Sequence, residues 1–184
     1  MAASSSLHIR DAVTPILKDL SLETSEDAFY MIAVGYNGIV IDKVDSSNNL
    51  KIVEKYGYEF NLHCGAMRKT LLAYQTDEFI EDYIKIMEED TTCYPKFEAS
   101  KLRADITRIR KEGVAVSHGE YIDGAVGIGA PVFDAKGKLK GSIGIIAPES
   151  RILEGDKIDK VKLSVKKYAE KLSYNMGYAD NNGY

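Results

Sequence analysis

Two pairs of β-rich runs, each joined by a short turn, bracket a helical middle, and this arrangement narrows the possible folds more than any other feature of the chain. Phe29 to Val34 and Ile39 to Val44 form the first pair, with Gly35-Tyr36-Asn37-Gly38 between them. Asn-Gly between apolar runs is the strongest short hairpin signal, because both central residues of a type I′ turn need positive φ. Ala125 to Asp134 and Leu139 to Ala147 form the second pair, joined through Ala135-Lys136-Gly137. Strands linked by hairpins run antiparallel. A polar turn, Asp45 to Asn49, leads to a third run at Leu50 to Glu54, so the front of the chain reads as a three-stranded meander. Val114 to His118 adds a strand before the second hairpin.

The remaining segments carry helical period. From Leu7 to Thr24, Ile9, Ala12, Val13, Ile16, Leu17 and Leu20 recur at three- and four-residue steps. Pro15 interrupts that run, and an interior proline removes a hydrogen bond, so Pro15 is expected in the first turn of the main helical segment. His63 to Tyr74 is a second helix, with Met67, Leu71 and Leu72 on one side. Thr76, followed by Asp77 and Glu78, reads as an N-cap with acidic first-turn residues, opening a helix to about Met87. After a loop at Thr91 to Phe97, Ser100 is expected to cap a helix that turns Leu102, Ile106 and Ile109 inward and ends at Gly113. A last helix runs from about Asp156 to Met176, and Gly177 to Tyr184 reads as a frayed polar tail. The fold class expected is α/β in the α+β sense, an antiparallel sheet of about six strands flanked by helices.

Bulk properties exclude several roles. At 184 residues the chain is one domain of ordinary size. Its formal charge of -4 makes it, alone, a poor ligand for duplex DNA, which needs clustered Lys and Arg. No apolar run reaches membrane-spanning length, so no membrane partner is expected. Met1 to Ser6 lacks the apolar core of a signal peptide. Cys64 and Cys93 are too few and too far apart for a disulfide framework, and read as free thiols in a reducing cytoplasm.

Four stretches, in order, resemble the effector-binding domain of IclR-family transcription regulators. Leu62-His63-Cys64-Gly65-Ala66-Met67-Arg68-Lys69-Thr70-Leu71-Leu72-Ala73-Tyr74 is similar to that family's Leu-His run into a Gly-Lys-Ala-x-Leu-Ala helix. Leu102 to Gly113, through Ile106, Ile109 and Arg110, resembles its Leu-x-x-Ile/Val-Arg-x-x-Gly helix end. Val114 to Gly124, with Ala115, Glu120 and Gly124 in place, resembles its Gly-x-Ala-x-x-x-x-Glu-x-x-x-Gly segment. Ala130-Pro131-Val132-Phe133-Asp134, Gly137 and Pro148-x-Ser150-Arg151 match its last hairpin. The resemblance covers nearly the whole chain. It implies a GAF/PAS-like domain that binds a small metabolite, often an organic or aromatic acid, and forms a homodimer or homotetramer. DNA would be read by an N-terminal winged helix-turn-helix, which nothing before Leu7 can hold, so residues 1–184 are expected to be a deliberate truncation or one domain of a longer protein. Two departures stand out. Met67-Arg68-Lys69 replaces a small residue and Gly-Lys, and Gly144-Ile145-Ile146 replaces the Ser-x-Ser that many members turn toward the ligand.

The candidate site follows from these runs. Cys64, Gly65, Ala66 and Met67 sit at a helix N-terminus, whose unpaired N–H groups and partial positive charge suit a carboxylate. Arg68 would add charge if it turned inward. Ala125, Gly127 and Gly129 alternate and so share a sheet face, with Gly144 and Ile146 placed on the neighbouring strand. Small residues there leave room either for a ligand or for a closely packed helix. Of Ser117 and His118 only one can face the site, and the family register favours Ser117. Glu120 and Asp123 read as loop acids. The ligand set is therefore Cys64, Gly65, Ala66, Met67, Ser117, Ala125, Gly127, Gly144 and Ile146.

His63, Cys64, Cys93 and His118 match no standard zinc spacing, and neither metal nor cofactor is expected. Cys64 at a helix N-terminus is also a candidate redox-sensitive thiol. Three functions remain in play. The leading one is the effector-sensing and oligomerisation domain of a bacterial or archaeal IclR-type regulator. A dimerisation module with a filled, vestigial pocket is second. A cysteine-based GAF-like reductase using Cys64 and Cys93 is third, although no nucleophile–base–orienter set is visible, so an enzyme is not expected.

Overall fold

In the computed structural model, which describes residues 2–53, 59–92 and 96–178, six strands form one sheet: β1 (Asp27–Val34), β2 (Asn37–Val44), β3 (Glu59–Asn61), β4 (Ala115–His118), β5 (Ala125–Phe133) and β6 (Leu139–Pro148). Their order is β3-β2-β1-β6-β5-β4, and every neighbouring pair is antiparallel. The two hairpins foreseen from sequence meet along β1 and β6, where Phe29 lies opposite Gly144 and Tyr30 opposite Ile143.

Alternation along the central strands builds two cores. Ala28 and Tyr30, Val126, Ile128, Ala130 and Val132, and Ile143, Ile145 and Ala147 face one side. Helices α1 (Ala2–Thr24) and α6 (Lys157–Asn175) cover it. Phe29, Met31, Ala125 and Ile146 face the other side, under α2 (Ala66–Ala73), α3 (Asp77–Glu89) and α4 (Ala99–Glu112). The sheet is thus the middle of three layers.

Several boundaries differ from expectation, each for a physical reason. Helix α1 continues through Pro15 without a break. Val13, Ile16, Leu17 and Leu20 are buried on the sheet, and at about 1.5–3 kcal/mol each this burial exceeds the ~3 kcal/mol an interior proline costs. Pro15 and Asp11, whose carbonyl loses its partner, both lie on the exposed side. In the first hairpin the turn is Gly35-Tyr36, while Asn37 pairs with Val34 and Gly38 with Ala33. Gly35 supplies the positive φ, 58°, at the first central position. Gly38 answers a packing demand instead, because a Cβ there would lie 2.7 Å from Arg68 Cγ.

The third strand is not at Leu50 to Glu54. Residues 50–53 are irregular, Leu50 and Val53 are exposed, and Glu54 lies outside the described residues. Polar anchors hold this stretch, with Arg151 donating to the Leu50 carbonyl and Lys51 to Asp27. The edge strand beside β2 is Glu59–Asn61. Helix α2 starts at Ala66, three residues after His63. Ser100 is inside α4, whose N-cap is Glu98. Thr76 caps α3 by accepting the Phe79 N–H at 3.2 Å, and Gly113 ends α4 with φ 69°, both as expected. A single turn, α5 (Glu149–Ile152), was not foreseen. Of the expected tail, Tyr178 is packed, its ring 5.5 Å from that of Phe133, while Gly177 is exposed. Cys93 and residues 179–184 lie outside the described residues.

Candidate functional site

Every residue of α2 is buried, which places a charged helix start in the middle of the domain. Two glycines explain how it gets there. A Cβ on Gly129 would lie 2.8 Å from Met67 Cα, and a Cβ on Gly144 would meet Met67 Sδ at 2.9 Å. The bare strands therefore let the helix backbone approach the sheet. Next to them, Gly127 faces Ala66 and Ser117.

The chain enters α2 through Gly65, at φ 87° and ψ 160°. Two N–H groups at the helix start find oxygen acceptors from across the sheet. Ala66 N–H donates to Ser117 Oγ at 3.0 Å, and Gly65 N–H donates to Glu120 Oε2 at 3.3 Å. The other Glu120 oxygen accepts from Lys69 Nζ at 2.6 Å. Lys69 also donates to Asp105 Oδ2 at 2.8 Å, and Arg108 donates to Asp105 Oδ1 at 2.6 Å. The Lys69 side chain is only 3% exposed. A charge that deep is tolerated because two carboxylates meet it and the hydrogen bonds are short. Glu120 additionally sits where the helix dipole favours negative charge.

Beside this cluster lies a small, partly open cavity of about 30 Å³, room for one or two waters. Seven of the nine candidate ligand residues line it: Gly65, Ala66, Met67, Ser117, Ala125, Gly127 and Ile146. Cys64 and Gly144 do not. Cys64 is fully buried in the turn before α2, its N–H donating to the Asn61 carbonyl. Gly144 lies beneath Met67, so there the close-packed helix is the reading that holds. Met31, Arg68, Glu120, Tyr121 and Ile122 complete the wall. Arg68 is turned inward and 2% exposed, with its guanidinium carbon 5.1 Å from the Tyr121 ring centre and 5.8 Å from that of Phe60.

Ser117 is buried toward the cavity while His118 and Asp123 are exposed. His118 instead borders a wider hollow, about 390 Å³, on the far side of Lys69 and Glu120, together with His63 and Lys101. His63 Nδ1 is 2.6 Å from the Tyr83 hydroxyl, a partner that fixes the ring. Among the described residues no group of three or more His, Cys, Asp or Glu is placed to hold a metal ion.

The ion cluster escaped the sequence reading, although signals for it were present. Asp105 falls on the same face of α4 as Leu102, Ile106 and Ile109, and a carboxylate on a core face implies a buried cation. Lys69 and Glu120 both fall inside the runs that carry the family resemblance.

Comparison with known proteins identifies the family and the fold. The family description "Bacterial transcriptional regulator IclR C-terminal" matches residues 1–174. The HTH-type transcriptional regulator KipR of Bacillus subtilis is 27% identical over 177 residues, covering 94% of this chain and 69% of KipR. The C-terminal domain of a transcriptional regulator from Vibrio cholerae is 32% identical and superimposes with a TM-score of 0.75, covering 87% of this chain and 93% of that one. The IclR of Thermotoga maritima is 28% identical with a TM-score of 0.83, covering 92% of this chain and 69% of that one. The chain spans from about half to about two thirds of the length of the curated relatives it matches. Those relatives are named as transcription regulators, not enzymes. No helix among the described residues is long and apolar enough to cross a membrane. With a family match over residues 1–174 and a fold shared with solved members, this chain belongs to the IclR family of bacterial transcription regulators, as its C-terminal domain.

Proposed function

We propose that this domain senses a small organic acid in the cavity beside α2 and passes its occupancy to a DNA-binding winged helix-turn-helix of the full-length regulator. The effector binds one conformation of the cavity more tightly and so shifts a homodimer or homotetramer equilibrium. One observation carries this reading. Gly65, Ala66, Met67, Ser117, Ala125, Gly127 and Ile146, drawn from a helix and three strands, converge on one space with a polar end and an apolar wall. The two methionines at that space, Met31 and Met67, are unbranched and can move aside to widen it.

The small volume and the filling of the Gly129–Gly144 patch by Met67 favour a second reading, a dimerisation module with a closed pocket. Thermal unfolding against a panel of aliphatic, aromatic and sugar acids separates the two. An effector at about 100 times its Kd stabilises by ~2.7 kcal/mol, which is roughly 5–10 °C of Tm for a domain of this size. A shift of that order for one chemical class is the expected result. A flat panel favours the closed module.

A further inference from the structure

We propose that residues 120–123 form a latched lid over the cavity beside α2, hinged at Gly119 and Gly124, and that a ligand enters only when this lid swings out. This deepens the reading of the cavity as a sensing site and rests on it. The closed space of about 30 Å³ holds a water or two, whereas small-molecule sites run to roughly 300–1,000 Å³. Rotation of the Met31 and Met67 side chains can deepen that space, but an entrance needs a backbone wall to move. Met31, Ser117, Ala125, Gly127 and Ile146 belong to hydrogen-bonded strands, and α2 is pressed onto the sheet at Gly129 and Gly144. Glu120, Tyr121 and Ile122 come instead from the loop between β4 and β5.

Both ends of that loop can turn. Gly119 has φ 57° and Gly124 φ 73°, in the left-handed region. A Cβ on Gly124 would meet nothing within 4 Å, and one on Gly119 would meet the Gly124 nitrogen at 4.0 Å, so backbone conformation and not packing calls for glycine at both. The base of the loop is pinned, since Gly119 N–H donates to the Ala125 carbonyl at 2.8 Å and Glu149 N–H to the Gly124 carbonyl at 2.8 Å. A loop with a pinned base and a permissive residue at each end can rotate as a unit. Side chains latch it shut. Glu120 accepts from Lys69 Nζ at 2.6 Å and from Gly65 N–H at 3.3 Å. The Tyr121 ring lies 5.0 Å from that of Phe60 and 5.1 Å from the Arg68 guanidinium carbon. Releasing Glu120 does not strand the buried ammonium, because Lys69 keeps Asp105 at 2.8 Å. Glu120 also borders the hollow of about 390 Å³ on the other side of Lys69, so its withdrawal joins the cavity to that wider space.

The test is thiol accessibility in the intact chain. Ala125→Cys places a thiol on the cavity wall, and its reaction with methyl methanethiosulfonate, a reagent larger than the closed space, is followed by peptide mass mapping. Cys64, buried but outside the cavity wall, reports general loosening in the same molecule. With the latches intact, the thiol at position 125 is expected to react far more slowly than in urea. Tyr121→Ala and Glu120→Gln should each speed that reaction about tenfold or more and leave Cys64 unchanged. Circular dichroism establishes that each variant is folded. If Ala125→Cys is not, Ser117→Cys puts a thiol on the same wall with the same expectation, and if one latch variant is not, the other decides. Equal acceleration at position 125 and at Cys64 would assign the reaction to global unfolding and overturn the lid. So would an unchanged rate in the folded latch variants, or a rate in the intact fold that already equals the rate in urea. The thermal panel separates this inference from the reading beneath it. Gated thiol chemistry with a flat panel would keep the lid and overturn acid sensing, and a shift in Tm with ungated chemistry would do the reverse.

Discussion

Lys69 shows how much of the domain's stability rests on single buried charges. Its side chain is 3% exposed, and its ammonium lies between Asp105 and Glu120. Removing one member of a buried ion pair leaves the others uncompensated, typically at 3–5 kcal/mol. Arg108 still holds Asp105, and Glu120 keeps 17% of its side chain exposed, so Lys69→Met should cost about 3 kcal/mol, the low end of that range. Urea denaturation measures it. Adding Glu120→Gln to Lys69→Met should recover part of the loss, because an amide needs no counter-charge. A cost below about 1 kcal/mol would mean the cluster is solvated like a surface pair. At this scale the sequence was legible where spacing decides. Ala125, Gly127 and Ile146 lie on the cavity because strand alternation dictates their face, and Ser117 because His118 takes the other. It was silent where a partner is remote. Glu120 sits 51 residues from Lys69, and nothing local marks a loop acid as a helix cap. Arg68 could be given either direction until Gly38 was seen to make room for its stem.

At the scale of elements, α1 and α6 are joined along one edge by a polar clasp that period alone does not reveal. Glu23 of α1 accepts hydrogen bonds from Lys167 Nζ at 2.6 Å, Ser164 Oγ at 2.7 Å and Tyr168 Oη at 2.7 Å. The bond from Lys167, then those from Ser164 and Tyr168, hold its carboxyl at about 2, below the usual 4.5. A folded-state pKa below the unfolded one adds stability above the unfolded value, and that stability is lost as pH falls through the folded value. Glu23→Gln should therefore lower Tm at neutral pH, and the gap to the native chain should close as pH drops from about 4.5 toward about 2. Glu23 is more than a third exposed, so water screens the clasp and the gap should not exceed about 1 kcal/mol. A gap independent of pH would assign the effect to packing. Elements with strong period were placed correctly: both hairpins, the Thr76 cap, the Gly113 stop and α6. The errors came from local signals that tertiary contacts overrode. Asn37-Gly38 is turn-forming chemistry used inside a strand because Arg68 needs the space, and Leu50 and Val53 are apolar residues left exposed.

For the whole molecule, the proposed sensing requires that cavity occupancy be felt elsewhere in the regulator. The cavity faces the α2–α4 side of the sheet, while α1, at the start of this chain, covers the opposite face. A signal from the cavity must therefore cross the sheet or pass through contacts between copies of the chain. In the second case linkage is reciprocal: an acid that binds the assembled form more tightly by some factor strengthens assembly by the same factor. A coupling of about 1–3 kcal/mol, the usual range, corresponds to roughly 5–150-fold. Sedimentation equilibrium with and without a saturating acid that raises Tm should move the association constant within that range, and titration at high and low protein concentration should return the same factor. A shift in one experiment without the other would break the thermodynamic cycle and expose a binding event unrelated to assembly. If both are flat while Tm still rises, the acid is bound without altering association. The signal would then have to pass through the sheet itself, by way of β5 and β6, which carry Gly127 and Ile146 on the cavity side and Ile128 and Ile145 under the opposite helices.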